Sequence, residues 1–589
     1  MSDLLAQGQE LPQPSSSHVS EAVRHPRFFV TGSLSEERFF LILSVFIGIF
    51  AGLAVVCFRL AIDWTRIGLL GPAPSPHGLR LLLVPTLAGL AVAVLVLHVF
   101  PRVRGSGVNE TKAAFYIFNG RIPVRTAVGK FVTAALAIGS GHSLGPEDPS
   151  LQFGASLAWV IGRRMRFSRE KLRLLAPVGA AAGLAAAFNA PISAVLFVIE
   201  EVIGRWSAAI LGSVVLSAIS SVVVVRWFLG VQPLFRIPPL NVVHPSELLA
   251  YAVLGIVGGV AAVVFAKAIG YFRPLLRGLP KATQYFQPAL AGFVIGLIGY
   301  WGAPQVMGAG YQYIDQAMHD QFTWKVLAVL AGLKILATTL SFVTGTPGGM
   351  FAPTLFVGAM LGGAVGGVER HFYPHLTGTT GTYALVGMGV LFAGFLRAPM
   401  TSVFMVLEVS GDYSIIVPVI LANTIAYVIS RSCEETPIFD LLTRQDGLSL
   451  PSLEEQREEG VLRVEDAMTP PLAPVLDSQI TVREAGQQIL SSASDVFLVR
   501  WNPSGWASVN RDLVTRFTRE GKSEMTLASL LPAPRLPHLY PDHPLEMALR
   551  YVDQNPLLPV VSRADLHRLE GVITGEDVLA RYRVAATDE

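Results

Sequence analysis

The sequence is poor in cysteine and in charged residues, and each scarcity excludes a class of protein. Its two cysteines, Cys57 and Cys433, lie far apart and support neither a disulfide framework nor a metal cluster. Only 15% of the residues are charged, against about 25% in ordinary soluble proteins. The net charge of +2 comes without the clustered basic residues that a nucleic-acid surface requires. The composition therefore argues against ordinary soluble, disulfide-stabilised and nucleic-acid-binding proteins.

Apolar residues fill the first three quarters of the chain. Hydrophobic residues make up 51% of the sequence, and the mean hydropathy is +0.50. Stretches such as Phe39–Ile62 and Leu79–Phe100 reach the roughly 20 residues that span a bilayer, whereas others are shorter or interrupted by glycine and proline. Broken helices at membrane depth survive only where they line a protein cavity. The pattern predicts a polytopic α-helical membrane protein with broken, tilted helices.

One glycine-rich pattern occurs twice in the apolar region, 204 residues apart. The two copies are Gly141-x-x-x-Gly145-x-x-x-Pro149 and Gly345-x-x-x-Gly349-x-x-x-Pro353. Glycine permits a sharp turn, and a proline just inside a helix gives up an N–H group that had no partner. Each copy therefore predicts a loop that delivers a helix N-terminus. Two such termini in a membrane predict an anion site.

A second pair of segments repeats at an offset of 208 residues and contains Glu200 and Glu408. We expect these two glutamates to be structural and to bond to neighbouring helix ends. The halves thus share a whole architecture. Internal repeats in transporters commonly have inverted topology, with the substrate held near the midplane.

Four motifs together resemble the CLC chloride channel and transporter family in order and spacing. They are Gly105-Ser106-Gly107-Val108-Asn109-Glu110, Gly145-Pro146-Glu147-Asp148-Pro149, Gly349-Met350-Phe351-Ala352-Pro353, and Phe188-Asn189-Ala190-Pro191 before Glu200-Glu201. The resemblance covers most of residues 35–445 and implies a CLC-type transmembrane domain over 39–445. It also implies a homodimer with one pathway per subunit.

The resemblance implies roles for individual residues. Ser106 and the N–H groups of Met350 and Phe351 would hold the central anion. Glu147 would be the gating glutamate, and Glu201 the internal proton glutamate. Further positions around the anion would be Gly145, Pro146, Asp148, Gly349 and Phe439.

The chemistry of the two glutamates also follows from elementary arguments. A carboxylate in a site built for halide competes with the substrate, and burial disfavours its charged form, so protonation frees the site. Glu201 follows the apolar run Ile192–Ile199, where an ionisable residue is costly and functional by default. The alternatives are that Glu147 stabilises a helix dipole in a first turn and that Glu201 is structural. Ser106, similarly, could be only a helix cap.

Three residues depart from the family pattern. Pro146 and Asp148 flank the gating glutamate where the family usually has arginine and glycine, and Phe439 replaces a usual tyrosine. Proline removes an N–H donor, the aspartate adds negative charge, and phenylalanine lacks a hydroxyl. These changes predict weak anion affinity and loosened coupling. We predict Cl⁻/H⁺ exchange, with a passive or uncoupled chloride channel as the alternative.

The last part of the sequence is soluble in character. A polar, acidic linker over 446–460 precedes two units, 461–522 and 523–589, each predicted as strand, helix, strand, strand, helix. The second resembles a CBS domain through Leu558-Pro-Val-Val561 and Gly571-Val-Ile-Thr574-x-x-Asp577, and the first is a degenerate copy. A CBS pair implies an α/β module that binds ATP or AMP, with Thr574 at phosphate and Asp577 at ribose. A scaffold without ligand is the alternative.

The remaining expectations concern partners and location. Chloride and protons are the predicted substrates, no cofactor is required, and no nucleic acid is bound. We expect a multi-pass protein of the plasma or inner membrane, with a cytosolic tail over 1–38 and both termini cytosolic. A CBS-regulated divalent-cation transporter or a membrane receptor is disfavoured because the membrane part is poor in aspartate. An intramembrane metalloprotease would need His-Glu-x-x-His, which the sequence lacks, so we predict no enzyme.

Overall fold

The computed structural model divides the chain into two compact units, Met1–Leu450 and Pro451–Glu589. The structure describes residues 36–72, 78–204, 208–230, 235, 247–373, 379–448, 462–471, 473–490, 492–501, 505–532, 536–541, 543–552, 555–562 and 565–587. The predicted N-terminal tail and linker lie almost wholly outside these residues.

The described residues of the first half of unit one form eight α-helices. They are α1 (Glu36–Leu70), α2 (Arg80–Val94), α3 (Gly107–Tyr116), α4 (Val124–Gly139), α5 (Glu147–Arg164), α6 (Arg169–Phe188), α7 (Pro191–Phe197) and α8 (Ala208–Leu229). Two π-helical segments, Leu95–Val99 and Val198–Ile203, extend α2 and α7, and Pro101–Val103 forms a 3₁₀ turn.

In the second half, nine further α-helices lie within the part of the chain that the structure describes. They are α9 (Glu247–Arg277), α10 (Gln287–Tyr300), α11 (Tyr311–Met318), α12 (Trp324–Val343), α13 (Phe351–Phe372), α14 (Thr380–Leu396), α15 (Pro399–Ser410), α16 (Ile416–Cys433) and α17 (Ile438–Gln445). Short 3₁₀ turns occur at Lys281–Tyr285, Pro304–Val306 and Tyr413–Ile415. Across the described residues, eight helical stretches are long and apolar enough to span a membrane, and shorter apolar helices lie between them. The prediction of a polytopic helical protein with broken helices is confirmed.

The duplicated glycine-rich loops each end in a helix, as predicted. The first copy leads into α5 and the second into α13, and the repeated proline is the third residue of each helix. Gly141 and Gly345 have φ angles of +110° and +80°. This conformation favours glycine because it lacks a Cβ atom.

The two halves also use the same close helix packing. Helices α5 and α6 touch backbone to backbone, since a Cβ atom on Gly154 would lie 2.0 Å from the carbonyl oxygen of Gly179. Helices α13 and α14 repeat this contact, with 2.3 Å between a Cβ atom on Gly358 and the Gly387 oxygen. Small residues allow such approach where hydrophobic burial does not drive helix association. The packing thus shows the internal duplication in three dimensions.

Glu200 and Glu408 bind helix starts reciprocally. Glu200 accepts hydrogen bonds from the N–H groups of Met400 and Thr401 (3.3 and 3.0 Å) at the start of α15. Glu408 accepts the equivalent bonds from Ile192 (3.0 Å) and from the next residue at the start of α7. The prediction that both are structural and bond to helix ends is confirmed.

The second unit is a small α/β region. Its helices are α18 (Val464–Ala467), α19 (Val482–Ile489), α20 (Arg511–Arg519), α21 (Leu527–Leu530), α22 (Leu545–Val552) and α23 (Gly575–Thr587). Strand β2 (Val496–Arg500) pairs in parallel with β1 (Leu476–Asp477) and antiparallel with β3 (Trp506–Asn510). Strands β4 (Leu558–Val561) and β5 (Leu569–Ile573) form an antiparallel pair.

The predicted element order is confirmed in the first half of this unit, where strand, helix, strand, strand and helix follow in turn. In its second half the predicted first strand is reduced to one parallel bridge, between Leu539 and Val560. The remaining helix, two strands and helix are present.

Candidate functional site

The two duplicated loops meet at Gly145 and Gly349. The N–H group of each glycine donates to the carbonyl oxygen of the other, and both N···O distances are 2.8 Å. A Cβ atom on Gly145 would lie 2.2 Å from Glu147 Oε2, and one on Gly349 would lie 2.5 Å from Asp148 Cβ. The glycines therefore allow the N-termini of α5 and α13 to converge. In this conformation the N–H group of each glycine is bound to the carbonyl oxygen of the other, and their place beside the anion stays a prediction.

Glu147 is the first residue of α5, and its side chain is completely buried. Its Oε1 atom accepts a hydrogen bond from the hydroxyl of Tyr311. Its Oε2 atom is buried, and the backbone N–H group of Ala352, near the start of α13, also interacts with the carboxylate. Arg59, from α1, interacts with it electrostatically. The residue predicted as the gate is thus a carboxylate that a tyrosine hydroxyl holds in the protein interior.

An open cavity of about 380 Å³ lies next to this carboxylate. Arg59, Asp63 and Arg66 line it from α1, Tyr311 lines it from α11, and Pro146 lines it beside the gate. Arg59 interacts electrostatically with Asp63 as well as with Glu147, and Arg66 adds a second guanidinium group to the lining. Tyr311 lines the cavity and donates a hydrogen bond to Glu147, so it connects the cavity with this carboxylate.

Asp148 belongs to α5, and its carboxylate lies at the N-terminus of α3. Its Oδ1 atom accepts hydrogen bonds from the Ser106 hydroxyl (2.8 Å) and the Val108 N–H group (2.9 Å), and its Oδ2 atom accepts one from the Gly107 N–H group (2.8 Å). The carboxylate is 2% exposed. A helix N-terminus with unpaired N–H groups and a hydroxyl is an anion site. In this conformation the protein's own carboxylate takes up these donors.

Ser106 is also the cap of α3, because its hydroxyl oxygen accepts a hydrogen bond from the Val108 N–H group (3.1 Å). The structure therefore shows the capping role considered for Ser106, and its role at the anion stays a prediction.

Met350 and Phe351 lie at the start of α13 and are buried. The first N–H groups of a helix have no partner within the helix. Five phenylalanine rings pack together here, with 5.0–6.3 Å between the centroids of neighbouring rings. They are Phe188, Phe197, Phe351, Phe392 and Phe439. The Phe439 ring lies 6.2 Å from the Phe351 ring and has no hydroxyl to donate. The wall of the site on this side is apolar.

Glu201 lies in the π-helical segment that follows α7, and it is buried. Its Oε1 atom lies 3.2 Å from Lys112 Nζ, and the same ammonium group lies 2.8 Å from Asp440 Oδ1. The backbone near Asp440 is fixed by Asn109, whose side-chain amide donates to the Phe439 carbonyl oxygen (2.9 Å). π-Helical turns occur frequently at functional sites.

Sequence reasoning missed Lys112, Asp440 and Tyr311. Lys112 was detectable as a lysine within a membrane helix, and Asp440 as a carboxylate next to Phe439. Tyr311 follows a short glycine-rich segment and offered no comparable signal.

Thr574 and Asp577 in the second unit bind each other at the start of α23. The Thr574 N–H and hydroxyl groups donate to Asp577 Oδ2 (2.8 and 2.7 Å), and the Asp577 N–H group donates back to the hydroxyl (3.3 Å). Helix capping accounts for this pair. Within the described residues, no three or more of His, Cys, Asp and Glu are grouped so as to hold a metal ion.

Comparisons with known proteins agree with this geometry. The family model described as voltage gated chloride channel matches residues 88–431. A ClcB-like chloride channel protein of Ralstonia nicotianae is 30% identical over 425 residues, which cover 70% of this chain and 99% of that protein.

Three solved structures share the fold. A slow cyanobacterial Cl⁻/H⁺ antiporter has a TM-score of 0.64 at 24% identity and covers 72% of this chain and all of its own. A CLC-type fluoride/proton antiporter has a TM-score of 0.60 at 23% identity and covers 70% of this chain and 99% of its own. A eukaryotic CLC transporter has a TM-score of 0.59 at 20% identity and covers 91% of this chain and 97% of its own. The chain therefore belongs to the voltage-gated chloride channel family, and it is a multi-pass membrane protein of anion transport rather than an enzyme.

Proposed function

We propose that the protein exchanges chloride for protons across the membrane. The observation that carries this proposal is the Asp148 carboxylate on the Ser106 hydroxyl and the first two N–H groups of α3. Donors that bind a carboxylate in this way also suit a halide, so the two compete. Protonation removes the charge of the carboxylate and releases the donors to the substrate. Proton uptake and anion binding are thereby linked.

Glu147 serves as the gate in this scheme. Glu147 is the first residue of α5, it follows Pro146 of the cavity wall, and its carboxylate binds Tyr311 of the same wall. A charged Glu147 blocks the position that the substrate anion needs, and a proton on it opens the path. The hydrogen bond from Tyr311 holds the blocking conformation.

Glu201 serves as the internal proton carrier. It is buried in a segment where an ionisable residue is costly unless it has a function. Two similar structures are described as proton-coupled antiporters, one for chloride and one for fluoride. We propose chloride as the substrate because the chain has Ser106 at the central anion position, where the family resemblance associates serine with chloride.

Passive chloride conduction is the second candidate, and one observation favours it. The Lys112 ammonium group, 3.2 Å from Glu201, stabilises the charged form of that carboxylate and so opposes its protonation. A carrier that stays charged moves no protons.

Simultaneous flux measurements in proteoliposomes separate the two functions. An outward chloride gradient is expected to drive protons inward against their own gradient in the wild type. Glu147→Gln is expected to keep chloride flux and to lose proton movement, because the gate can no longer exchange a proton. Glu520→Gln, on an exposed residue of the second unit, serves as the control and is expected to match the wild type. A wild type that never moves protons uphill selects the passive channel.

For the second unit we propose a pair of CBS domains over 461–522 and 523–589 that faces the cytosol and binds ATP or AMP. The α/β order of the elements and the position of Thr574 and Asp577 at the start of α23 support this assignment. Calorimetric titration of the full-length protein with each nucleotide tests this assignment, and a titration without heat change leaves a scaffold role only.

We further propose a homodimer with both termini cytosolic. Mass measurement in detergent tests the dimer, and protease accessibility in oriented vesicles tests the location of the termini.

A further inference from the structure

Three charged side chains from separate segments meet in the interior of unit one. Lys112 comes from α3, Glu201 from the π-helical segment after α7, and Asp440 from α17. The ammonium group contacts Glu201 Oε1 at 3.2 Å and Asp440 Oδ1 at 2.8 Å. The three residues are 1%, 1% and 5% exposed. We call this set the inner charge cluster.

The inner charge cluster contains more negative than positive charge. Two carboxylates face one ammonium group, so the cluster carries a net charge of −1 when both acids are ionised. Glu201 Oε2 and Asp440 Oδ2 are buried and have no hydrogen-bond partner among the described residues. Burying an uncompensated charge is unfavourable. One bound proton neutralises the cluster and turns one of these oxygens into a donor.

Among the described residues, the other charged groups on the surrounding elements have interactions of their own. Glu110 interacts with Lys130 and Arg102, Asp148 with Ser106, and Glu200 with the start of α15. Arg173 lies over the Phe115 ring, Arg273 pairs with Asp446, and Arg397 donates to the carbonyl groups of Ser430 and Glu434. Lys267 of α9 and Arg444 of α17 are exposed. None of these described groups forms an ion pair with the cluster.

We infer that the inner charge cluster is one proton-holding unit, in which Asp440 is a second acceptor beside Glu201 and Lys112 limits the uptake to a single proton. This inference rests on the proposed exchange function and assigns its internal proton site to three residues. The step is a proton transfer from a hydronium ion of the internal solution, in which one O–H bond of hydronium breaks and an O–H bond forms at Glu201 Oε2 or Asp440 Oδ2. The same bond breaks when the proton leaves for the gate or for internal water, and nothing is oxidised or reduced.

Flux measurements on three variants test the inference. Glu201→Gln and Asp440→Asn are each expected to lose most of the proton flux that accompanies chloride, because Lys112 balances the one carboxylate that remains and the cluster no longer takes up a proton. The double variant is expected to lose proton flux while chloride flux persists. Asp512→Asn, an exposed aspartate of the second unit, is the matched control. Complete loss in Glu201→Gln together with no change in Asp440→Asn overturns the inference.

Infrared difference spectroscopy gives a readout that does not depend on transport. Protein labelled with ¹³C-aspartate is titrated with acid, and the carbonyl band of protonated aspartic acid is recorded. Part of this band is expected to disappear in Asp440→Asn and also in Glu201→Gln, where Lys112 keeps the remaining Asp440 in its charged form. An unchanged band in both variants overturns the cluster even if exchange occurs. If the band changes as expected but the wild type moves no protons, exchange fails and the cluster stands.

Discussion

The carboxylate of Asp148 accepts a hydrogen bond from the hydroxyl of Ser106, with an O···O distance of 2.8 Å. Ser106 is one of the residues that we expected to hold the central anion. Asp148→Asn removes the charge and keeps the size, so the competing group is weakened. A hydrogen bond to a charged group contributes about 1.5–3 kcal/mol, and about 1.4 kcal/mol corresponds to a tenfold change in affinity. We expect Asp148→Asn to bind chloride and bromide at least about tenfold more tightly, as titration calorimetry in detergent can measure.

Ser106→Ala is the matched control for this measurement. It removes the hydroxyl donor itself, so anion affinity is expected to fall rather than rise. If Asp148→Asn and the wild type bind halide equally, the aspartate is only a cap for α3 and does not compete with the anion.

The pH dependence of transport follows from the two buried carboxylates. In the proposed mechanism each carboxylate is an obstacle when charged and leaves its donors free when protonated, so chloride flux is expected to rise as the pH falls. The measurement is the initial rate of chloride efflux from proteoliposomes over a series of symmetrical pH values. The double variant Glu147→Gln, Asp148→Asn carries no charge at either position and is expected to show a nearly flat profile. A wild-type rate that falls on acidification contradicts the competition between carboxylate and anion.

The fold could be predicted from the sequence because its signals are local and repeated. Glycine and proline at fixed spacing require a turn followed by a helix start, whatever else the chain does. The reciprocal capping by Glu200 and Glu408 followed from their equal places in the two halves. Each of these expectations needed only neighbouring residues or the internal repeat.

The contacts of the site could not be predicted in the same way. Lys112 and Asp440 are 328 residues apart, and their meeting depends on how α3 and α17 pack. The reciprocal hydrogen bonds between Gly145 and Gly349 occupy two N–H groups that we expected to be available to the anion. Asp148 was expected near the anion, but which donors its carboxylate takes depends on a close approach of α3 to α5 that no local pattern encodes.

Tyr311 provides a specific test of the gate. Tyr311→Phe removes the hydroxyl that donates to Glu147 and leaves the ring in the cavity wall. The blocking conformation loses a hydrogen bond to a charged group, worth about 1.5–3 kcal/mol, so chloride flux at neutral pH is expected to rise several-fold. Tyr313→Phe changes a tyrosine of the same helix and cavity and is the control. Equal rates in the two variants and the wild type would show that the hydrogen bond does not hold the gate.

The close packing of α13 against α14 predicts where added volume is not tolerated. A Cβ atom on Gly358 would lie 2.3 Å from the Gly387 carbonyl oxygen, and backbone cannot move aside as a flexible side chain can. Overpacking of a well-packed core costs about 1–3 kcal/mol and occasionally more. Gly358→Ala is therefore expected to lower the melting temperature in detergent and, by pushing the start of α13 away from Gly145, to reduce chloride flux.

Gly332→Ala is the control for this change, because it adds the same methyl group to a helix where nothing lies within 4 Å of the new atom. Alanine is favoured over glycine in a helix by about 1 kcal/mol, so this variant is expected to be as stable as the wild type or slightly more stable. If Gly358→Ala matched it in stability and flux, the tight backbone contact would not position the start of α13. Because the second half repeats the first, the same comparison applies to Gly154, where the clash with the Gly179 oxygen would be at 2.0 Å.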